Sequence, residues 1–296
     1  MPRSALIDTD PGIDDALAIL AALASPEVEV LGLTTVGGNI GLPRTTHNAG
    51  AILGLAGRAE VPVHSGAAAP LSAGAGAATE VHGGDGLGGV ALPDPPRAAG
   101  AGAVAWMART LRAAPPGAVD LFTLGPLTNL AQLLSEAPDA ARRLGRVIAM
   151  GGAVEVPGNA AEARAEFNLA YDPAAAAQVI AAGLPLTLVP LDVTRQVRAD
   201  RAYVARLAAA GGPVPTVAAA LIEGYFAAGR TAESRPLHDP CVPLLAEAPA
   251  LFDIVRRALA VDPADGALIP GPHAVDVALG VDAAAVLDLL ARRLGA

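Results

Sequence analysis

The sequence is poor in three residue types, and each shortage excludes something. None of its 20 basic residues is a lysine, and Cys241 is the only cysteine among 296 residues. A single cysteine excludes an internal disulfide and any zinc site built from several cysteines. Aromatic residues make up 3% of the chain and apolar residues 53%, so the core must consist mainly of leucine, valine, isoleucine and alanine.

Charge and hydropathy restrict the partners that the chain can have. The net charge of −9 argues against a nucleic-acid partner, because phosphate binding requires basic surface. No uninterrupted apolar run approaches the roughly 18 residues that a membrane span needs. Asp8 and Asp10 interrupt the N-terminal segment, so it cannot serve as the apolar part of a signal peptide. We therefore expect a cytoplasmic protein without a membrane partner.

Short runs rich in leucine or β-branched residues alternate with helical patterns along the chain. Strands are predicted at 4–7, 28–34, 61–63, 119–124, 146–150 and 186–189. Helices are predicted at 14–24, 43–57, 98–114, 126–135, 173–182, 199–210, 216–228 and 281–294. This alternation is typical of an α/β fold with a mostly parallel sheet, in which ligands bind beyond the carboxyl ends of the strands. No change in composition marks a linker, so residues 1–296 are predicted to form a single domain, with 64–97 as a long loop.

Four aspartates lie within the first fifteen residues, between an apolar strand-like stretch and an apolar helix-like stretch: Asp8, Asp10, Asp14 and Asp15. Carboxylates this close repel one another at neutral pH unless a positive charge lies among them. Oxygen ligands favour hard cations such as Ca²⁺ or Mg²⁺ over zinc. A helix cap and solvated turn residues would account for one or two of these aspartates but not for four. The segment therefore predicts a metal site after the first strand.

Polar motifs follow later predicted strands as well. Asn39 ends the sequence Gly37-Gly38-Asn39 after the second strand, and it offers donor and acceptor groups for hydroxyls. His82 opens a glycine-rich loop that lacks the Lys-Ser/Thr ending of a phosphate-binding loop. Leu124 precedes Gly125-Pro126-Leu127-Thr128-Asn129 and could lend a backbone carbonyl to a metal. Each motif alone is also typical of a turn, a flexible loop or a helix cap.

Two further motifs lie in the second half of the chain. Glu166 and Asn168 are two residues apart, so in an extended segment their side chains point the same way. His238 and Asp239 stand between prolines in Pro236-Leu237-His238-Asp239-Pro240, where the aspartate would suit a third metal carboxylate and the histidine a proton donor near neutral pH. A surface loop or a structural His-Asp pair would explain each motif singly. Together, the motifs predict a site that handles hydroxyls and a hard metal.

In this order the motifs resemble the inosine–uridine-preferring nucleoside hydrolases, the ribonucleoside N-ribohydrolases. The opening Asp8-Thr9-Asp10-Pro11-Gly12-Ile13-Asp14-Asp15 is similar to the family signature. The motifs that follow in family order are Gly38-Asn39, Gly125-Pro126-Leu127-Thr128-Asn129, Met150-Gly151-Gly152, Glu166-Phe167-Asn168 and His238-Asp239-Pro240. The resemblance covers nearly the whole chain and implies a Rossmann-like α/β fold, with a mostly parallel central sheet flanked by helices.

The resemblance also implies an activity and the residues that carry it. The activity is Ca²⁺-dependent hydrolysis of the N-glycosidic bond of ribonucleosides to ribose and free nucleobase, in nucleoside salvage, by a homodimer or homotetramer. The Ca²⁺ ligands match the carboxylates of Asp10, Asp15 and Asp239 and the main-chain carbonyl of Leu124. The residues that contact the substrate match Asp14, Asn39, His82, Asn159, Glu166 and Asn168. Asp10 also matches the general base that activates a water, and His238 matches the proton donor to the leaving base.

The nucleobase preference stays open. The base pocket of this family often draws tyrosines from the helix before the His-Asp-Pro motif, and Tyr225 is the only tyrosine of that segment here. The sequence therefore leaves purine, pyrimidine and broad specificity as alternatives.

Two other functions compete with the hydrolase. The start Leu6-Ile7-Asp8-Thr9-Asp10 also resembles haloacid-dehalogenase-like phosphatases, with Asp8 as the nucleophile, but that function leaves Asp14, Asp15 and the His238-Asp239 pair unexplained. A calcium-dependent nucleoside- or sugar-binding protein without turnover would need neither a base nor an acid. Asp10 and His238 are available for those two roles, which favours the hydrolase.

Overall fold

A computed structural model describes residues 2–72, 83–228 and 233–296, and most of its strands belong to one ten-stranded sheet. The strands are β1 (Arg3–Thr9), β2 (Val28–Thr35), β3 (Val63–Ser65), β4 (Gly100–Ala101), β5 (Val119–Thr123), β6 (Leu144–Met150), β7 (Leu186–Val189), β8 (Arg198–Asp200), β9 (Ser234–Pro236), β10 (Phe252–Val261), β11 (Leu268–Pro270) and β12 (His273–Val281). Their order in the large sheet is β11-β10-β12-β7-β6-β5-β1-β2-β3-β4, and β8 pairs separately with β9.

The sheet is parallel over most of its width. All neighbours from β4 across to β12 pair in parallel, whereas β10 is antiparallel to both β12 and β11. The chain leaves β1 towards β2, β3 and β4 and then returns to place β5 on the other side of β1. Such a reversal of strand order opens a crevice at the carboxyl ends of the two strands, and ligands of open α/β sheets bind there.

Helices cover both faces of the sheet. They are α1 (Ile13–Ala24), α2 (Leu42–Leu55), α3 (Ala103–Ala113), α4 (Thr128–Glu136), α5 (Pro138–Ala141), α6 (Phe167–Tyr171), α7 (Pro173–Ala181), α8 (Leu191–Thr194), α9 (Arg201–Ala210), α10 (Pro213–Ala228), α11 (Cys241–Glu247) and α12 (Ala283–Arg293), with a 3₁₀ helix at Pro249–Leu251. Residues Ala161–Arg164 form a turn in which Glu162 and Ala163 have positive φ. None of the helices in the described ranges has the length and hydropathy of a membrane span.

Two buried apolar clusters fill the space between the sheet and its helices. One contains α1, α10, α11 and α12, and the other contains α3, α4 and α7. Every residue of α1 from Ile13 to Ala22 is buried, because the helix is apolar nearly all round and lies between the sheet and other helices. This burial fixes the start of α1, and therefore the aspartates at its N-terminus, against the end of β1.

The predicted elements are largely confirmed. Strand β7 has the predicted bounds, and β1, β2, β5 and β6 overlap their predicted ranges. The predicted helix 98–114 is wrong at its start: Gly100–Ala101 pairs with β3 as strand β4, and α3 begins after Gly102, whose φ of 75° breaks the helical pattern. Strands β10, β11 and β12, among which β10 is antiparallel to the other two, were not predicted.

Candidate active site

The Asp10 carboxylate lies directly beyond the end of β1 and is fully buried. Its Oδ2 accepts a hydrogen bond of 2.6 Å from the backbone N–H of Asn39. Its Oδ1 is buried and has no hydrogen-bond partner within the described part of the chain. Gly38 and Gly125 lie on either side, so close that a methyl group on either residue would come within 2.8 Å of Asp10 Cγ. The carboxylate is therefore held between two backbone segments, with one oxygen available to a ligand.

Asp15 holds the turn between β1 and α1. Its Oδ1 accepts a hydrogen bond of 2.6 Å from the Thr9 hydroxyl, and its Oδ2 accepts one of 2.9 Å from the Gly12 backbone N–H. The side-chain amide of Asn39 donates to Oδ2 as well, at 3.2 Å. A carboxylate in the first turn of a helix is also stabilised by the positive end of the helix dipole. These contacts fix Asp15 beside Asp10 in a buried position.

Three carboxylates from opposite ends of the chain converge beside Asp10. Asp14, Asp15 and Asp239 are all buried, and one oxygen of each lies within 4.8 Å of the other two. Asp239 reaches this point from the segment between β9 and α11, and the backbone N–H of His238 donates a 3.3 Å hydrogen bond to Asp14 Oδ2. Three oxygens at this spacing can surround a single hard cation.

Burial and mutual repulsion dominate the electrostatics of the cluster. Burial, followed by the charge of Asp15, raises the pKa of Asp10 well above its ordinary value. Burial also raises the pKa of Asp239, and the charges of Asp14, Asp15 and Asp10 add to that increase. Bringing several buried carboxylates together costs free energy that a divalent cation would offset. The donor set, all oxygen, suits Ca²⁺ or Mg²⁺.

A pocket of about 160 Å³ opens above the carboxylates. Its lining contains eight of the residues predicted from the sequence, namely Asp14, Asn39, Leu124, Asn159, Glu166, Asn168, His238 and Asp239, together with Met150, Phe167 and Tyr225. Asp10 and Asp15 are predicted site residues that are fully buried and not part of this lining. The prediction for His82 lies outside the described residues. The segments that follow β1, β2, β5, β6 and β9 thus meet at one pocket.

Glu166 lines the pocket at the N-terminus of α6. Its carboxylate accepts backbone N–H groups from Gly152, Asn168 and Leu169, at 3.1, 2.9 and 3.3 Å. Burial raises the pKa of Glu166 to about 7, even though these hydrogen bonds lower it. Asn159 lies next to this segment, where its side-chain oxygen accepts a 2.8 Å hydrogen bond from Phe167 N–H. Both side chains have their orientation set by backbone groups.

Asn168 connects the ends of two central strands. Its side-chain amide donates to the carbonyl of Leu124 at 2.8 Å, just beyond β5, and to the carbonyl of Met150 at 3.2 Å, at the end of β6. The Leu124 carbonyl predicted as a metal ligand is therefore hydrogen-bonded to a residue of the pocket. A carbonyl oxygen has two lone pairs, so this bond leaves one for a second partner.

Asp8 takes a different place from the other three N-terminal aspartates. Its Oδ1 accepts hydrogen bonds from the Thr34 hydroxyl and from the Asn129 amide, at 2.5 and 2.8 Å. Asn129 in turn accepts a 2.9 Å hydrogen bond from the backbone N–H of Ala67. Burial raises the pKa of Asp8 to about 6. Asp8 therefore braces β1, β2 and α4 behind the pocket and does not line it.

Sequence reasoning did not identify Thr194. Its hydroxyl lies 2.7 Å from Nδ1 of His238, and it is fully buried at the end of α8, shortly after β7. The signal that could have found it is position: Thr194 follows a central strand, as the other site motifs do. The Arg235 guanidinium lies 5.1 Å from the centre of the Tyr225 ring, and this cation–π contact was not predicted either.

Comparison with known proteins gives consistent results over the whole chain. The family described as inosine-uridine preferring nucleoside hydrolase matches residues 5–288. A pyrimidine-specific ribonucleoside hydrolase, RihA of Salmonella gallinarum, is 38% identical over 307 aligned residues, covering 98% of this chain and 97% of its own.

Solved structures give the same result. A plant nucleoside hydrolase, PpNRh1, superposes with a TM-score of 0.93 at 33% identity, covering 100% of both chains. A purine-preferring ribonucleoside hydrolase from Gardnerella vaginalis superposes with a TM-score of 0.92 at 30% identity, covering 99% of this chain and 98% of its own. The predicted fold, a mostly parallel central sheet flanked by helices, is confirmed by these neighbours.

Proposed function

Because the chain belongs to the inosine-uridine preferring nucleoside hydrolase family and is a ribonucleoside hydrolase, we propose that a bound Ca²⁺ ion is required for it to hydrolyse the N-glycosidic bond to ribose and free nucleobase. The observation that carries this proposal is the buried group of Asp14, Asp15 and Asp239, with oxygens within 4.8 Å of one another, of which Asp14 and Asp239 line the pocket. Buried carboxylates are retained at such density where they bind a cation or act in catalysis.

The residues present fit a calcium ion. Asp10 and Asp15 come from the end of β1 and the start of α1, Asp239 comes from the opposite end of the chain, and the Leu124 carbonyl would complete the protein ligands. The buried Oδ1 of Asp10, which has no partner in the described ranges, supports its inclusion. Asp14 lies within the same group of oxygens, so it would be either a further ligand or a contact to the ribose hydroxyls beside the ion. When bound, Ca²⁺ would supply Lewis acidity that lowers the pKa of water and would orient the ribose hydroxyls.

Asp10 is the proposed general base. Burial and the charge of Asp15 raise the pKa of Asp10 in the metal-free protein, and a bound cation would lower it, which would keep Asp10 ionised and able to accept a proton. Its position between Gly38 and Gly125 leaves it little freedom to rotate. In this role Asp10 takes the proton of the attacking water while the water oxygen adds to C1′ of the ribose.

The pocket residues would stabilise the ribose as its bond to the base breaks. Cleavage of a C1′–N bond passes through a transition state that resembles an oxocarbenium ion, as in glycoside hydrolysis. Oxygen atoms already oriented by the protein stabilise such a cation without reorganisation. The side chains proposed for this are those of Asp14, Asn39, Asn159, Glu166 and Asn168. Hydrogen bonds to backbone groups or to buried carboxylates hold all five of these side chains.

His238 is the proposed acid for the leaving base. It lines the pocket next to Asp239 and Tyr225. As the C1′–N bond breaks, its electron pair stays on the base nitrogen, and a proton from the imidazolium of His238 neutralises that nitrogen. His82 is proposed to lie near the base, as the family resemblance implies.

Ribose release measured with uridine and with inosine tests the proposal, because the relatives include both a pyrimidine-specific and a purine-preferring enzyme. Exhaustive EDTA treatment should abolish release, and added Ca²⁺ should restore it. Full activity in EDTA would contradict the calcium requirement. Phosphate release from p-nitrophenyl phosphate without ribose release would support the phosphatase alternative, and nucleoside binding without turnover would support the binding-protein alternative.

We also propose that residues 1–296 form one domain and act in nucleoside salvage in the cytoplasm as a homodimer or homotetramer. The single large sheet, whose strands extend from Arg3 to Val281, supports the single domain. Ribose and free base are products that salvage reactions consume. Light scattering coupled to size-exclusion chromatography measures the oligomeric state, and a monomer would contradict this part of the proposal.

A further inference from the structure

We infer that Thr194 is a positioning residue for His238, an inference that rests on the proposed role of His238 as the acid for the leaving base. The hydroxyl oxygen of Thr194 lies 2.7 Å from Nδ1 of His238. This contact holds one nitrogen of the imidazole and directs the other towards the substrate.

The burial of Thr194 and His238 indicates which ring nitrogen of His238 faces the interior and which faces the pocket. Thr194 is fully buried, and His238 lines the pocket. The edge of the imidazole that carries Nδ1 therefore faces the protein interior. Because the N–H directions of the two ring nitrogens diverge widely, a ring held at Nδ1 from the interior side has Nε2 as the nitrogen that can face the pocket.

Thr194 itself occupies a rigid position. Its backbone N–H donates to the Pro190 carbonyl at 3.1 Å, within the single turn of α8 that follows β7. The carboxylate of Asp192 in the same turn accepts the backbone N–H groups of Val154 and Glu155, at 2.9 and 2.7 Å. The hydroxyl is thus fixed relative to the sheet, and rotation of the His238 ring away from the pocket would break the 2.7 Å contact.

The proton balance of the reaction determines which atom is the donor in the hydrogen bond between Thr194 and His238. The acid form of His238 carries a proton on each nitrogen, with Nδ1–H donated to the Thr194 oxygen. The Nε2 proton moves to the base nitrogen, which keeps the electron pair of the broken C1′–N bond. The neutral imidazole that remains still donates Nδ1–H to Thr194, so the same contact serves before and after proton transfer. Water can then return a proton to Nε2.

Substitution at position 194 tests the inference with two kinds of substrate. Thr194→Val keeps the branched shape and removes the hydroxyl, while Thr194→Ser keeps the hydroxyl. Uridine or inosine needs a protonated leaving base, whereas the nitrophenolate of p-nitrophenyl β-D-ribofuranoside leaves without a proton. Since a general acid contributes about 10²–10⁴-fold, a misdirected acid should cost Thr194→Val about 10- to 100-fold in kcat on the nucleoside. On the nitrophenyl riboside the loss should stay within about twofold, and Thr194→Ser should restore most of the nucleoside activity.

A double-mutant cycle with His238→Asn separates this inference from the proposed function. If Thr194 acts through His238, Thr194→Val should cause no further loss once His238 is replaced. An equal loss on both substrates, or wild-type nucleoside activity in Thr194→Val, would overturn the inference and leave the acid role of His238 standing. Wild-type nucleoside activity in His238→Asn would overturn the acid role and the inference together. Thr194→Ala provides a second hydroxyl-free variant, and far-UV circular dichroism verifies the fold of each protein.

Discussion

Gly125→Ala is the sharpest test of the position of Asp10. All three atoms that an added methyl group at Gly125 would meet first belong to Asp10, and the methyl carbon would lie 2.8 Å from Cγ and 3.3 Å from Cβ. Apolar carbon atoms in contact are normally about 3.5–4.0 Å apart. The carboxylate must therefore move by about 0.7 Å or more to make room.

That displacement has a calculable consequence for catalysis. A displacement of about 1 Å in a reacting group can cost about 10²-fold in rate. Asp10 cannot follow the push freely, because its Oδ2 is held by the N–H of Asn39 and its other side faces Gly38. We expect Gly125→Ala to lower kcat by about 30- to 100-fold, with a loss of about 1–3 kcal/mol of unfolding free energy from overpacking.

The assay is ribose release from uridine and inosine at saturating Ca²⁺, together with a calorimetric titration of the ion. Gly41→Ala is the matched control, because the nearest atom to a methyl group at Gly41 is Cδ of Pro43 at 3.9 Å, an ordinary contact. The control should keep wild-type kcat and calcium affinity. A Gly125→Ala protein that is folded and equals wild type in both measurements would refute the reasoning, since it would show that catalysis tolerates a displaced Asp10.

Three further predictions concern the charges of the site. Asp10→Asn should abolish ribose release. It should keep or raise the melting temperature in EDTA, because a neutral amide removes the repulsion between Asp10 and Asp15. A lower melting temperature of the variant would contradict that repulsion. Added Ca²⁺ should raise the melting temperature more near pH 8 than near pH 5.5, because the raised pKa of Asp10 and of Asp239 means that ion binding must displace protons at low pH. Equal increases would indicate an ion site elsewhere. In EDTA, burial raises the pKa of Glu166 from 4.5 to about 7. The folded protein therefore has extra free energy of unfolding below pH 4.5, and this contribution is lost as the pH rises through 7. Denaturant titrations of the wild-type protein and of Glu166→Gln should differ in pH dependence over that interval.

The sequence allowed the central strands β1, β2, β5, β6 and β7 to be predicted, because most of their residues are buried. Strands such as β5 and β7 are short apolar runs followed by turn residues, and this pattern is specific. Strand β10 was not predicted for the opposite reason. Half of the residues of β10 are exposed, in the run from Asp253 to Arg256 and at Ala258, so the strand lacks both a continuous apolar run and a clean alternation.

For the site, the sequence identified the motifs but could not give the distances between them. The motifs containing Asp14, Asn39, Glu166 and His238 each follow a strand, and the topology brings them to one pocket, as expected for an open α/β sheet. The spacing of residues along the chain cannot show that Asp14 lies in the same oxygen cluster as Asp15 and Asp239, because helix α1 and a distant loop meet there only in three dimensions. Thr194 was missed because a single hydroxyl in a short turn is a weak signal, and its position after β7 is the only feature that it shares with the other site motifs.

The hydrogen bond between His238 and Asp14 joins residues 224 positions apart, and this separation has a consequence for folding kinetics. Contacts of such long range form late, because the loop entropy must be lost before they contribute free energy. The first strand and helix can form early, but the proposed ion site is complete only when the segment carrying Asp239 docks against them. Calcium uptake during refolding should therefore lag behind the recovery of helical signal and mark the final step in forming the native chain.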